Sequence, residues 1–189
     1  MKDFLPEGHK TPDLGSSGYF RFKDGENKFR ILDSAIVGYE LWIGGKPVRR
    51  KGNNFTIDEL SKADINKFTG KKKEPVYFWI FPVWSYEEKK VQIMETTQVS
   101  IITGIESYLN DEEWGIPFSY DLVVVRQSEP KTTYSVKAKP HKELDKDIKI
   151  LYEDMNIDLT AIYSGKNPFN ANLDESEKDL VDDTDKALG

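Results

Sequence analysis

The chain has 189 residues, with 27 basic and 33 acidic side chains, two histidines and no cysteine. The lack of cysteine excludes disulfide frameworks, thiolate zinc sites, thiol nucleophiles and iron–sulfur clusters. No apolar run approaches the roughly 18 residues of a membrane-spanning helix, and the first residues hold no apolar stretch typical of a signal peptide. We therefore expect a soluble, cytoplasmic protein that does not contact a membrane.

The net charge of -6 is unevenly distributed along the chain. Residues 46–73 carry nine basic and three acidic side chains, whereas residues 174–189 carry seven acidic and two basic ones. Such asymmetry is typical of a protein that binds nucleic acid and ends in an acidic tail. We expect the tail to stay unfolded, because its few apolar residues cannot offset the entropy lost on ordering.

The first half of the chain predicts one long strand and an insertion. Residues 1–18 are rich in Pro, Gly and Ser without periodicity, which predicts a flexible arm. Aromatic and β-branched residues between positions 28 and 43 predict a strand that bends at Gly38. A turn at Gly44-Gly45 leads to residues 47–51, a return strand or a loop. The polar composition of residues 52–75 indicates an insertion with one short helix.

The second half predicts strands at 76–84 and 91–95, a helix that Thr96 or Thr97 caps and that ends near Asn110, and a hairpin of strands at 119–127 and 132–138. Residues 142–155 alternate apolar and charged positions as an amphipathic helix does. We therefore predict an arm at 1–18, a domain at 19–140 with an insertion at about 52–75, a helical extension at 141–160, and a disordered acidic tail at 161–189.

Five strands with one helix between the third and fourth is the element order of the OB-fold, a five-stranded Greek-key barrel. We therefore predict a mainly β protein with an OB-type barrel, a C-terminal helix and a disordered tail. A different small barrel and an α+β sandwich are the alternatives.

The strand at 76–84 is apolar on both faces, which leaves two interpretations open. In the first interpretation both faces are buried, and the second face lies under the insertion or the C-terminal helix. In the second interpretation one aromatic face stacks on unpaired bases. Base stacking contributes about 1–3 kcal/mol per base whatever the sequence. Aromatic rings interleaved with cations are what a single-strand groove requires; the alternative places Trp42 in the core and the cations on a solvated loop. The candidate rings are Tyr39, Trp42, Tyr77, Trp79, Phe81 and Trp84, and the candidate cations are Arg30, Arg49, Arg50, Lys51, Lys71, Lys72 and Lys73.

Motifs for catalysis are absent from the sequence. There is no phosphate-binding glycine loop, and His9 and His141 lie in no spacing typical of a catalytic triad or a metal site. Four carboxylates on or beside predicted strands could in principle meet around Mg²⁺, although ordinary paired carboxylates are the favoured interpretation. We expect no enzymatic activity, no cofactor and no metal. The four carboxylates are Asp33, Glu40, Glu95 and Asp121.

Three stretches resemble phage-encoded single-stranded DNA-binding proteins: FRILDSAIVGYELW (29–42), PVYFWIFPVWSYEEKKVQIMETTQ (75–98) and DEEWGIPFSYDLVVVRQ (111–127). The resemblance covers about residues 19–140. It implies an OB-fold that coats unwound DNA in replication, recombination or repair. It also implies an acidic tail that contacts replication proteins such as a polymerase, helicase or primase. Some members carry a Cys/His zinc site, which a chain without cysteine cannot form. The tail acids are Asp174, Glu175, Glu177, Asp179, Asp182, Asp183 and Asp185.

The expected function is therefore sequence-nonspecific binding of single-stranded DNA. An RNA-binding or protein-interaction module of the same fold is the first alternative, and a metal-dependent nuclease is a more distant one.

Overall fold

The computed structural model describes residues 18–169 of the chain. The predicted arm, apart from residue 18, and the acidic residues 174–189 lie outside this range. No helix within it is long and apolar enough to cross a membrane. The elements are β1 Gly25–Ile31, β2 Ile36–Ile43, β3 Lys46–Arg50, α1 Ile57–Ser61, β4 Val76–Ser85, β5 Lys90–Thr96, α2 Val99–Leu109, β6 Tyr120–Gln127, β7 Thr133–His141, α3 Lys146–Asp154 and a 3₁₀ helix, Leu159–Ser164.

The strands form one antiparallel sheet in the order β3-β2-β4-β1-β6-β7, with β5 paired to the remaining edge of β4. The first half of β4 pairs with β2 and its second half with β1. The long strand predicted for residues 28–43 is thus two strands, separated at residues 32–35, that follow the same edge of β4. The return segment after Gly44-Gly45 is a strand, β3.

The mainly β class is confirmed, but the strands do not close into the predicted OB-type barrel. Among the described strands, β5 and β7 do not pair with each other, so the sheet stays open. Helix α2 follows β5 and packs on β7 closely enough that a Cβ at Gly104 would lie 2.6 Å from Val136 Cγ2. Helix α2 thus packs against β7, whose only partner among the described strands is β6.

Both faces of the β4–β5 ladder are buried along its middle, as the first interpretation of this apolar strand predicts. The packing on the second face comes mainly from residues 157–169, however, and not from the insertion or α3. On one face, Phe81 and Met94 pack in a core to which α2 contributes Ile101 and Ile105. On the other face, a second cluster covers β4 and β5 with residues from the 3₁₀ helix and its flanks. This second cluster consists of Phe78, Ile80, Ile93 and Ile162, with Tyr19, Ile36, Ile157, Leu159, Tyr163 and Phe169 packed against it.

The covering segment corrects the predicted start of the tail at residue 161. Ala161 and Ile162 are buried. Asp158 caps the 3₁₀ helix by accepting a hydrogen bond from the Thr160 amide at 2.9 Å, and Gly165 ends it with a φ of 70°. The segment mixes polar and apolar residues, and its apolar residues converge on one face of the sheet.

Candidate nucleic-acid interface

An open groove lies where the insertion meets β2, β4 and the end of β5. We call it the Trp42 groove. Its lining combines one aromatic ring and three consecutive lysines with neutral polar side chains and two carboxylates. The lining residues are Glu40, Trp42, Asn66, Thr69, Lys71, Lys72, Lys73, Glu74, Val76 and Thr97.

The backbone around Asp64 attaches the insertion to β2 beside Trp42. The Asp64 amide donates to the Trp42 carbonyl at 2.8 Å, and the Lys73 amide donates to the Asp64 carbonyl at 2.7 Å. The Asp64 carboxylate accepts hydrogen bonds from the amides of Gly44 and Gly45 at 2.7 and 3.0 Å. Both glycines have positive φ, which a tight two-residue hairpin requires. The turn and the insertion are thereby fixed to each other, so that the lysines stand next to the indole ring.

Lys73 and Trp42 form the centre of the groove. The Lys73 Nζ lies 4.8 Å from the centroid of the indole ring, within the range of a cation–π contact. The Trp42 Nε1 donates to Glu40 Oε1 at 3.3 Å. The Lys72 ammonium donates a hydrogen bond to the Ser61 carbonyl. Within residues 18–169 neither Lys71 nor Lys73 forms an ion pair, so both cations can face a phosphate.

A second aromatic cluster lies on the opposite face of the same two strands. Tyr39 and Tyr77 are direct cross-strand partners with ring centroids 5.3 Å apart, and Trp79 Nε1 donates to the Tyr77 hydroxyl at 3.2 Å. Tyr77 is 39 % exposed. Arg50 pairs in register with Tyr39, but its guanidinium binds Glu59. This tyrosine patch is reachable from solvent, whereas the next residue on its face, Phe81, is not.

The prediction is wrong for Phe81 and Arg30, because both side chains are buried. Phe81 is 1 % exposed within the core. Arg30 is fully buried, with its Nε and Nη2 each 2.7 Å from Asp121 Oδ1, and it donates to the carbonyls of Phe118 and Lys142. A guanidinium that is already neutralised inside the fold cannot reach a phosphate.

Three more predicted residues lie away from the groove or have a protein partner. Trp84 pairs in register with Arg30 and Val91, toward the other end of β4. Lys51 places its ammonium 5.8 Å from the Tyr163 ring. Arg49 binds Glu95 at 2.5 Å and lies 3.4 Å from Glu40. Of the thirteen predicted residues, the structure brings together Trp42 with the three lysines, and Tyr39 with Tyr77 and Trp79.

Glu40 and Glu95 form a carboxylate pair around Arg49, at the side of the Trp42 groove. Burial raises the pKa of Glu40 to about 7, and the hydrogen bond and negative charge of Glu95 add to the rise against the lowering effect of Arg49. Sequence reasoning placed these two carboxylates near strands but could not show that they meet.

The other two candidate carboxylates lie elsewhere. Asp121 forms ion pairs with Arg30 and Lys28, and Asp33 accepts a hydrogen bond from the Tyr152 hydroxyl. In the described part of the chain, no three histidine, aspartate or glutamate side chains come together as a metal site.

Sequence reasoning missed the neutral polar lining of the groove, namely Asn66, Thr69 and Thr97. Asn66 and Thr69 belong to the insertion, whose basic composition was the available signal. The sequence predicts Thr97 only as a possible helix cap. Comparison of the chain with protein-family models, with curated proteins and with solved structures gave no match.

Proposed function

We propose that this protein binds single-stranded DNA without sequence preference and coats unwound DNA during replication, recombination or repair. The Trp42 groove carries the proposal, since it joins a partly exposed indole to three lysines. A ring offers a stacking surface to any base, and cations track the phosphate backbone. The tyrosine patch offers further ring surface on the same strands.

The order of the elements supports an OB-type arrangement, which we infer as part of this proposal. With β1 and β2 counted as one interrupted strand, and β3 counted with the insertion that follows it, β4 and β5 take the second and third places, and α2 precedes β6 and β7. OB-folds bind oligonucleotides on the face of strands two and three and on the loop between strands one and two. The Trp42 groove lies at β4, at the end of β5 and on the insertion that occupies that loop.

The acidic tail, which lies outside the described residues, is proposed as a competitor for the groove and as a docking peptide for replication proteins. Removal of residues 174–189 takes away a net charge of -5. We expect the shortened protein to bind single-stranded DNA more tightly, above all at low salt, where screening is weakest. Equal affinities of the two proteins at low salt would show that the tail does not compete.

The central experiment is a titration of labelled oligo-dT followed by anisotropy. Trp42→Ala should weaken binding by about 1–3 kcal/mol, the contribution of one stacked base. Changing Lys71, Lys72 and Lys73 together to Ala should also weaken binding and reduce the dependence of affinity on salt. Wild-type affinity that is unchanged from low to moderate salt would refute the electrostatic half of the proposal.

A matched control separates the groove from overall charge. The triple change of Lys131, Lys137 and Lys146 to Ala removes the same three charges from exposed positions away from the groove. It should leave affinity nearly as in the wild type. Competition with oligo-U and duplex DNA distinguishes DNA binding from RNA binding, and loss of labelled DNA with Mg²⁺ would indicate a nuclease instead.

A further inference from the structure

Phe68 is fully exposed at the tip of a short hairpin in the insertion. The hairpin is closed by a bridge between Ile65 and Lys72. A single exposed apolar side chain is ordinary on a protein surface. The surroundings of this ring set it apart, since its backbone is held in place and the adjoining surface is basic.

Asn66 holds the tip in one conformation. Its side-chain oxygen accepts hydrogen bonds from the amides of Phe68 at 2.9 Å and Thr69 at 3.3 Å. Its backbone carbonyl accepts from the Gly70 amide, and its amide donates to the Lys71 carbonyl, both at 2.8 Å. Gly70 has a φ of 69°, a conformation that favours glycine. The backbone that carries the ring is therefore held in one conformation before any ligand arrives.

The tip stands at the rim of the Trp42 groove. Asn66 and Thr69, on either side of Phe68, both line the groove, and Lys71 follows directly. The hairpin is attached to β2 through the hydrogen bond from the Asp64 amide to the Trp42 carbonyl. One rigid unit thus presents two aromatic residues with lysines next to them, which is the pattern that a single strand needs for successive bases and phosphates.

We propose that Phe68 stacks on an unpaired base of the strand whose neighbouring nucleotides occupy the Trp42 groove. This inference rests on the proposed function and adds a second stacking site to it, on the rim of the groove. Because the backbone of the tip is already fixed, only the side-chain torsions of Phe68 have to be ordered when a base binds, which limits the entropy lost on stacking.

The test compares three substitutions at one position. Phe68→Ala and Phe68→Leu should both weaken binding of a long oligo-dT by about 5- to 150-fold, the range expected for one lost stacking contact. Leu keeps an apolar side chain but offers no ring, so it separates stacking from simple apolar contact. Phe68→Trp should bind at least as tightly as the wild type and show additional tryptophan quenching on binding. Ile57→Ala is the control, since Ile57 is 88 % exposed in the same insertion.

Oligonucleotide length adds a second measurement. The loss at Phe68→Ala should vanish for oligo-dT too short to reach from the groove to the tip, because only the groove is then occupied. Circular dichroism and thermal melting should be unchanged for every variant, since the ring makes no contact in the fold.

The outcomes distinguish the two proposals. If the wild type binds oligo-dT and the three Phe68 variants bind equally well, the inference about Phe68 is overturned and the proposed function stands. If the wild type does not bind, both are overturned. If Phe68→Ala changes the sedimentation coefficient of the protein but not its affinity for oligo-dT, Phe68 contacts another protein molecule and the inference is again wrong.

Discussion

Replacing Glu40 with Gln tests the carboxylate pair beside the groove. The Glu40 side chain is buried, faces Arg49 and Glu95, and accepts a hydrogen bond from Trp42. Burial is the main reason why its pKa rises, and the neighbouring Glu95 adds to it. Glutamine has nearly the same shape and can still accept the indole hydrogen bond, but it does not titrate.

The expected effect is a difference in how the stability of the two proteins changes with pH. The pKa of Glu40 rises from an ordinary value of 4.5 to about 7, and each unit of pKa corresponds to about 1.4 kcal/mol. The folded state holds this proton more tightly than the unfolded state does. The resulting stability is therefore complete below about pH 4.5 and is lost as the pH rises through about 7. The wild type should lose about 3 kcal/mol that the Gln variant keeps.

Urea unfolding followed by tryptophan fluorescence measures this difference. Between pH 5 and pH 8, the free energy of unfolding of Glu40→Gln should rise by about 2 to 3 kcal/mol relative to the wild type. Glu74→Gln removes an exposed carboxylate from the same groove and should follow the wild type. Parallel curves for Glu40→Gln and the wild type would refute the account of a buried carboxyl that is protonated in the fold.

Three further substitutions test the packing around the site. Arg30→Met should lower the free energy of unfolding, measured in urea, by about 3–5 kcal/mol, because the buried Asp121 carboxylate loses the Arg30 guanidinium as its partner. If the variant folds but binds DNA much more weakly, Arg30 belongs to the DNA interface after all. Gly38→Ala should lower the melting temperature and cost at least about 1–3 kcal/mol, since the new Cβ would lie 2.2 Å from the Arg50 carbonyl oxygen. Ile162→Ala should cost about 2–5 kcal/mol in urea, as truncation of a buried side chain does, and unchanged stability would show that residues 157–169 are not part of the fold.

Elements with a strong local pattern could be predicted from the sequence. The apolar run at 76–84, the hairpin around residues 128–131 and the helix after Thr97 all appear in the structure, because their signals lie within a few residues. The interruption of the first strand at residues 32–35 could not be predicted, since it depends on β1 and β2 both pairing with one edge of β4.

Whether an individual side chain is buried depends on contacts with residues that are distant in the sequence. Tyr77 and Phe81 share one face of β4, yet only Tyr77 is exposed, because α2 and the rest of the core cover the far part of that face. Arg30 and Asp121 meet across 91 positions of sequence, which no local pattern reveals. The sequence therefore predicts which residue types form the candidate site and which part of the chain supplies them, but it identifies only some of the individual residues.

The ion pairs decide how strongly DNA binding should depend on salt. The nine cations of residues 46–73 would predict a slope of about -6 in log affinity against log salt if each met a phosphate, at about -0.7 per contact. Arg49, Arg50 and Lys62, however, are paired with carboxylates in the fold. The six cations that remain would give a slope of about -4 if all of them met phosphates. The three lysines of the groove alone give about -2, and the addition of Lys67 near the tip gives about -3. A measured slope near -6 would show that the arginines leave their carboxylates when DNA binds, and would refute the assignment of the groove lysines as the main phosphate contacts.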